Sequence, residues 1–354
     1  MRSINWRTEN RRTTVLVGAT AVAATAGLAL TVLPAFADSA SGDNGRQGHS
    51  HAQGTSHGTA HGSTRDSGLG KLSATNQSGA AFFAGSLNGA NEVPAPGGPA
   101  VGDKDGKAIA FMRVQGDEVS FAFKFRGIAA PTAAHIHQGA KGTNGAIKIP
   151  FFAKKLPDGR TSVSGTVKVG DQRLLNDLRT NPNGFYFNLH TGEFPGGAVR
   201  GQVHKLAGAI DMNKALRQNF QASVVKGSQI YACTQQPGGG YAFTQNNVSA
   251  RLQRGISHSF AKPGPQGPPA WVARDRSAVT GQLISRTPNG ADNIPELDLR
   301  AEQAGKKHGL LAGTDEILRL NTAGGVAPAG SCDPHKQRKV AVPYRADYLF
   351  VNGA

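Results

Sequence analysis

Apolar and polar side chains alternate along several short segments of this 354-residue chain. In one of them the apolar positions are Val119, Phe121, Phe123 and Phe125. The same period of two returns at 185–190 and at 199–204. Because successive side chains of a strand point to opposite faces, this period predicts half-buried strands. Turn signals such as Asn183-Gly184 separate the segments, so an antiparallel sandwich or barrel is expected.

Glycine and proline are abundant in the chain, and charged residues are sparse. The 47 Gly, the 19 Pro and the charged fraction of 18% exclude a coiled coil and a long helical solenoid. A typical length of roughly 150 residues per domain favours two domains. One short helix is predicted at Asp171–Arg179, where three leucines share a face. The expected fold class is all-β, with two β-rich domains and roughly seven to eight strands in the first.

Residues 1–37 have the pattern of a signal peptide. Arginines precede an uncharged apolar stretch from Val15 to Leu33, and Ala35-Phe36-Ala37 forms a small-x-small cleavage site. Cleavage at this site makes Asp38 the new N-terminus. The alternative is an uncleaved membrane anchor, since the apolar stretch can just span a bilayer. The pair Arg11-Arg12 leaves twin-arginine export open beside the general secretory route.

Residues 38–79 are mainly small and polar and cannot bury a core, so a disordered linker is expected. The histidines of this linker are His49, His51, His57 and His61. Two interpretations stay open for them. The linker is either a flexible tail that captures metal ions or a solvated spacer in which the histidines are incidental.

Export places the chain in an oxidising compartment, where two cysteines are expected to pair. The complete cysteine content is Cys233 and Cys332, and a disulfide between them is predicted. No segment after residue 37 is long and apolar enough to span a membrane. The expected location is secreted or cell-surface associated, with no integral membrane segment after signal cleavage.

The formal net charge of +16 is spread along the chain and is not gathered in runs of like charge. Aromatic residues make up only 6% of the sequence and do not interleave with basic residues. Nucleic acid is therefore not an expected partner. The expected partner is an envelope polymer, an extracellular protein or an anionic surface.

Four separate motifs follow one another in the first β-rich region. In chain order they are Leu87–Pro94, Ala134–Gly139, Asn188–Thr191 and Pro195–Gln202. Together they resemble the CHRD domain, the module named from chordin. The resemblance covers residues of about 80–205, and it is specific because all four motifs follow in the right order. It implies an extracellular all-β module and brings no established reaction.

Residues 206–222 are predicted to form a connector that is partly helical around Met212–Phe220. Residues 223–354 are predicted to form the second β-rich domain. This domain contains the motifs Tyr231-Ala232-Cys233, Pro269-Ala270-Trp271, Asn321–Pro328 and Val342–Tyr348. Through these motifs, residues of about 223–351 are similar to a bacterial secreted domain family of unknown function.

The second domain carries two further expectations. The segment Ile294–Leu299 is less apolar than the family pattern, and burying Glu296 and Asp298 there would be costly without partners. This edge is therefore expected to face solvent. Trp271 and Tyr344 can line a carbohydrate-type surface or belong to the core, which is the more common fate of such residues.

Three histidines are the best candidates for chemistry. On a strand, His135 and His137 project to one face, opposite Ile136. His190 lies off the apolar face of its own segment. A His-x-His pair with one further histidine suits zinc or copper. The alternative is that these imidazoles hydrogen-bond to neighbouring loops, to Glu92 or to Asn188.

Metal binding by this group has two expected consequences. An open fourth position binds water, and Glu92 or Asn188 can orient a ligand there. Affinity falls below about pH 6, because protonated imidazoles cannot bind a metal. The H-x-H-x-G pattern also resembles copper–zinc superoxide dismutase, whose other ligands do not follow here in order.

The sequence contains none of the familiar enzyme motifs H-E-x-x-H, G-x-S-x-G or a P-loop, and no catalytic residue is assigned. The expected function is that of an exported extracytoplasmic binding or structural protein with a CHRD module. The alternative is an extracellular enzyme that uses copper or zinc at the three-histidine site.

Overall fold

A computed structural model describes residues 79–265 and 267–354 of the chain. The predicted signal peptide at 1–37 and the linker up to residue 78 lie outside the described residues, as do the four linker histidines. The described part is all-β, as predicted, and its strands form two barrel-like sheets.

Nine strands form the first sheet within the described residues. They are β1 (Ala81–Asn88), β2 (Lys107–Gln115), β3 (Glu118–Arg126), β4 (Ala133–Gln138), β5 (Ile147–Phe152), β6 (Ser162–Lys168), β7 (Phe185–His190), β8 (Val199–Gln202) and β9 (His204–Lys205). Their order is β5-β4-β7-β8-β1-β2-β3-β6, with β9 also paired to β1. All these pairings are antiparallel, so β4 and β7 are direct neighbours.

The predicted short helix is present as α1 (Gln172–Thr180). The side chain of Asp171 accepts hydrogen bonds from the backbone N–H groups of Arg173 and Leu174, both at 3.0 Å. An aspartate in this position satisfies N–H groups that have no partner within the helix. The buried face of α1 consists of Leu174, Leu175 and Leu178. Capping and periodicity therefore agree with the sequence-based prediction.

The first sheet is more buried than the half-buried strands that the alternation predicts. Phe121 and Phe123 lie in one core with Phe151, and the rings of Phe121 and Phe151 stack at 4.5 Å. The opposite face is covered too, and every residue of β1 is buried. A second apolar cluster covers that face, and it includes residues from the connector at 206–222 and from the second domain.

In the described part of the second domain, eight strands close into an antiparallel barrel. They are β10 (Phe220–Gln235), β11 (Tyr241–Leu252), β12 (Ser257–Phe260), β13 (Pro269–Val272), β14 (Ala278–Thr287), β15 (Glu296–Gln303), β16 (Glu316–Gly324) and β17 (Lys339–Val351). The helix α2 (Ala215–Gln218) lies in the segment predicted as a connector, and β10 begins within that segment at Phe220. The predicted disulfide between Cys233 and Cys332 is confirmed.

The two domains share an apolar cluster. It contains Phe82 and Phe111 from the first sheet, Leu206 and Met212 from the connector, and Leu349 from the outer face of the barrel. Polar contacts extend this interface, because the Ser86 hydroxyl donates to Asp347 Oδ2 at 3.1 Å. The domains are therefore packed against each other through a continuous buried surface.

The expectation that Ile294–Leu299 faces solvent is wrong. Glu296 is only 5% exposed. Its Oε1 atom lies 3.0 Å from Lys141 Nζ and accepts the backbone N–H of Asn321 at 2.9 Å, and its Oε2 atom lies 3.6 Å from His204 Nε2. Lys141 and His204 belong to the first domain, so the carboxylate finds its partners across the interface. Burial is tolerated because charged and hydrogen-bonding partners replace water.

Asp298 is also partly buried on this strand. Burial, followed by the neighbouring carboxyl of Glu316, raises the pKa of Asp298 to about 8. Glu316 accepts hydrogen bonds from the backbone N–H groups of Ala207 and Gly208 in the connector. The connector thus supplies hydrogen-bond partners for the Glu316 carboxyl, and the Asp298 carboxyl is held largely protonated at neutral pH.

Trp271 and Tyr344 belong to the interior of the barrel, with exposures of 0% and 4%. This burial excludes an exposed carbohydrate-type surface built from these two residues. The hydroxyl groups of Tyr344 and Tyr348 lie 3.2 Å apart inside the same core.

Candidate metal centre

The three histidines lie together on the outer face of the first sheet. In β4, Ile136 is fully buried, so His135 and His137 project from the opposite face. In β7, the core side belongs to Phe187 and Leu189, and His190 projects from the other side. The antiparallel register pairs Ala133 of β4 with His190, which places His190 diagonally beside His135.

The imidazole nitrogens converge. His135 Nδ1 lies 3.1 Å from His190 Nε2. One ligand atom from each of His135, His137 and His190 lies within 4.8 Å of the others. Two nitrogens bound at 2.0–2.1 Å to one tetrahedral ion are separated by about 3.3 Å. The spacing of His135 and His190 is therefore close to that of a shared metal ion.

Backbone carbonyls orient two of the rings. His137 Nδ1 lies 2.9 Å from the carbonyl oxygen of Gly145, and His190 Nδ1 lies 2.9 Å from that of Pro195. Because a carbonyl oxygen only accepts, each Nδ1 carries the proton and each Nε2 keeps its lone pair in the neutral ring. His137 Nε2 is buried and has no hydrogen-bond partner. Histidine ligands of metals are held in this way.

Burial favours the neutral form of the three rings. It lowers the pKa of His135 to about 4, with His190 and then His137 acting in the same direction. Burial is also the main cause that lowers the pKa of His137 and of His190. The expected loss of metal affinity below about pH 6 assumed unperturbed imidazoles, whereas burial moves the protonation of His135 to lower pH, because a less accessible imidazolium loses more hydration. Burial therefore favours the neutral, metal-binding form of each of the three imidazoles.

Glu92 and Asn188 lie beside the cluster. Asn188 is two positions from His190 on the same face of β7, and its register partner in β4 is His135. Glu92 hydrogen-bonds to Asn188, and burial raises the pKa of Glu92 to about 8 although Arg200 and this hydrogen bond act in the opposite direction. The Glu92 carboxyl is thus largely protonated at neutral pH and can donate as well as accept a hydrogen bond.

Sequence reasoning missed the residues that support the cluster. Tyr186 stacks on His137, with ring centroids 4.8 Å apart and planes at 11°. The Arg200 guanidinium lies 3.4 Å above the ring of Tyr186. It also donates to the backbone carbonyls of Ala140 and Thr143 at 3.0 and 2.7 Å. The alternation of β7 places Tyr186 on the face of His190, and this was the available signal.

Arg200 thereby holds the loop that carries the Gly145 carbonyl. This loop also needs glycine at position 145, because a Cβ atom there would lie 1.5 Å from the carbonyl oxygen of Gln138. Tyr186 is not a metal ligand, but its hydroxyl accepts a hydrogen bond from the backbone N–H of Gly145 at 3.3 Å. Stacking, cation–π contact and loop geometry together fix the orientation of His137.

Three nitrogen ligands with no thiolate or carboxylate in the set suit zinc or copper better than magnesium or calcium, which prefer oxygen ligands. Three protein ligands also leave a fourth tetrahedral position for water or another ligand.

In the described part of the chain, no helix combines the length and apolar character that a membrane crossing requires.

Comparison with known families finds one match within each of the two sheets. Residues 83–203 match the CHRD domain, and residues 245–352 match a family described as a protein of unknown function, DUF3455. No curated protein and no solved structure matches the chain significantly. The three histidines and their supporting residues all lie within the segment that matches the CHRD domain.

Proposed function

We propose that this chain, a CHRD domain followed by a DUF3455 domain, is an exported protein whose CHRD domain binds one zinc or copper ion. The ligands are His135, His137 and His190. The observation that carries the proposal is the convergence of three imidazoles. In His137 and His190, Nδ1 hydrogen-bonds to a backbone carbonyl, so Nε2 keeps the lone pair that can bind a metal.

The alternative of a purely hydrogen-bonded cluster accounts for less of the geometry. His135 and His190 satisfy each other at 3.1 Å, but His137 Nε2 stays buried without a partner. An unsatisfied buried polar atom costs about 1–3 kcal/mol. A metal ion removes this cost and uses the lone pair that the Gly145 contact leaves on His137.

An extracytoplasmic location is part of the proposal. A disulfide and a CHRD domain fit an extracellular protein, and residues 1–37 have the pattern of a cleaved signal. The partners proposed on this basis are an envelope polymer or another extracellular protein. N-terminal sequencing of the exported protein should find Asp38 first, and retention of Met1 would support a membrane anchor instead.

A second candidate function is metal-dependent catalysis at the same site. Three histidine ligands with a free fourth position are typical of catalytic zinc sites. None of the described residues beside the three histidines is assigned a catalytic role. Turnover by the metal-loaded protein in oxidase, dismutase or hydrolase assays, abolished by removal of the metal, would favour the enzyme over the binding module.

The decisive experiment compares metal content in three forms of the full chain. The wild type should bind about one equivalent of zinc or copper at the site, measured by elemental analysis after dialysis. A variant with alanine at positions 135, 137 and 190 should lose it. A control variant replaces His49, His51, His57 and His61 with alanine and should keep it. Equal uptake by the triple variant and the wild type would refute the site.

A further inference from the structure

The barrel of the second domain encloses a cavity of about 450 Å³. Its wall includes Trp271 and His258, whose rings stack at 4.3 Å with an angle of 4° between their planes. Tyr348 packs against the Trp271 ring at 5.6 Å. Small eight-stranded barrels have room for one small ligand, and ligand pockets commonly begin at about 300 Å³.

The cavity is open to solvent on the side of β14. Val279 and Gly281 lie on the inner face of β14 and are buried, and Leu283, two positions further on, lies on the same face. Leu283 also lines the cavity, yet it is 52% exposed. An inward-facing leucine with this exposure marks an entrance through which a ligand can pass.

The cavity carries positive charge without a compensating acid. Arg286 and Arg319 line it, and its described lining residues include neither Asp nor Glu. The nearby acids Glu296 and Glu316 belong to the interface with the first domain. Arg319 Nη2 donates to the carbonyl of Pro295 at 2.8 Å, which orients the guanidinium without neutralising it.

Three buried donors of the lining have no partner. They are Trp271 Nε1, Gln229 Nε2 and Arg319 Nε. The Oε1 atom of Gln229 already accepts from Gln245 at 3.0 Å, so only the donor side of Gln229 is free. Buried donors in native proteins are nearly always satisfied. A set that contains donors alone is complementary to a ligand that supplies oxygen acceptors.

We propose that the barrel binds a small organic carboxylate with a flat apolar body, independently of the histidine site. The carboxylate accepts hydrogen bonds from the Arg319 guanidinium and from the unpaired donors, since a planar guanidinium matches a carboxylate. The apolar body packs against Trp271 and Leu297 on the inner wall. Arg286, exposed at the same cavity, favours entry of an anion.

The test is calorimetric titration of the full chain with benzoate and with benzamide, a neutral ligand of the same shape. Benzoate should bind and benzamide should bind at least about tenfold more weakly, because charge-assisted hydrogen bonds are the stronger ones. Arg319→Gln should weaken benzoate binding by about tenfold or more. The matched control Arg300→Gln changes an exposed arginine of β15 and should leave binding unchanged.

Because Arg319 also supports the Pro295 carbonyl, the fold of its variant is checked by near-ultraviolet circular dichroism. Arg286→Gln provides a second variant at an exposed position and should weaken benzoate binding by a smaller factor. Equal affinities for benzoate and benzamide would overturn the proposal. So would undiminished binding by folded Arg319→Gln, or no benzoate binding up to millimolar concentration.

Discussion

His135 Nδ1 and His190 Nε2 lie 3.1 Å apart, although 55 positions separate the two residues in the chain. The contact exists because β4 and β7 are adjacent and antiparallel, with Ala133 opposite His190. Both side chains leave the sheet on the face opposite the core. The same face presents His137, so the metal proposal rests on one strand pairing.

Removal of a single ligand should be enough to weaken the site. His137→Ala and His190→Ala should each lower zinc affinity by more than about 100-fold, since two imidazoles hold an ion far less tightly than three. Competition with a chromogenic chelator measures the affinity. His308→Ala, a change at an exposed histidine of the second domain, serves as the control. Unchanged affinity in either ligand variant would argue for a hydrogen-bonded cluster without metal.

Gly145→Ala should weaken metal binding without touching a ligand. The added Cβ atom would lie 1.5 Å from the Gln138 carbonyl, so the loop must move and take the Gly145 carbonyl away from His137 Nδ1. Loss of such an orienting partner typically costs about 10–100-fold in affinity. Gly170→Ala is the control, because nothing lies within 4 Å of a Cβ atom there. Wild-type affinity in Gly145→Ala would show that the carbonyl does not orient the ring.

Lys141→Met should destabilise the protein by about 1–3 kcal/mol, because it leaves the Glu296 carboxylate buried without its cation. Lys155→Met removes the cation of the exposed Lys155–Asp158 pair and should cost less than about 1 kcal/mol. Urea unfolding of both variants measures the difference. Equal effects would mean that the contact between the domains contributes no more than a surface ion pair.

Loss of the disulfide should cost several kcal/mol. Cys233 and Cys332 are 99 positions apart, and a loop of this length corresponds to about 4.7 kcal/mol in the chain-entropy estimate, with measured values often lower. A variant with serine at both positions should unfold at lower urea concentration than the oxidised wild type. Reduced wild type is the matched control and should resemble the variant. Coincident unfolding of the oxidised and reduced forms would contradict this expectation.

Asp298 should make the protein less stable as pH rises. Its pKa is raised to about 8, so the folded state keeps a proton that the unfolded chain has released above about pH 4. Stability is therefore present at low pH and is lost progressively as pH rises toward 8. Asp298→Asn should flatten this dependence and raise the melting temperature at pH 8. Asp292→Asn, at an exposed position, should leave the melting profile parallel to that of the wild type.

Local patterns in the sequence predicted much of the architecture. The alternation around Phe121 and Phe123 predicts strand, and three leucines after Asp171 predict α1, because each pattern depends on neighbours a few positions away. The disulfide follows from a content of two cysteines in a chain that carries an export signal pattern. The same i, i+2 rule places His135 and His137 on one face.

Long-range packing determined the histidine cluster, the burial of acidic residues and the pKa values. Whether His190 joins the pair depends on which strands are neighbours, and no local pattern specifies strand order. Glu296 tolerates burial because Lys141, 155 positions earlier in the chain, reaches it across the domain interface. The pKa of His135 is lowered because the folded chain removes water from its ring. Local periodicity determines which residues become strands, whereas burial, partners and proton affinity arise only when distant segments exclude water together.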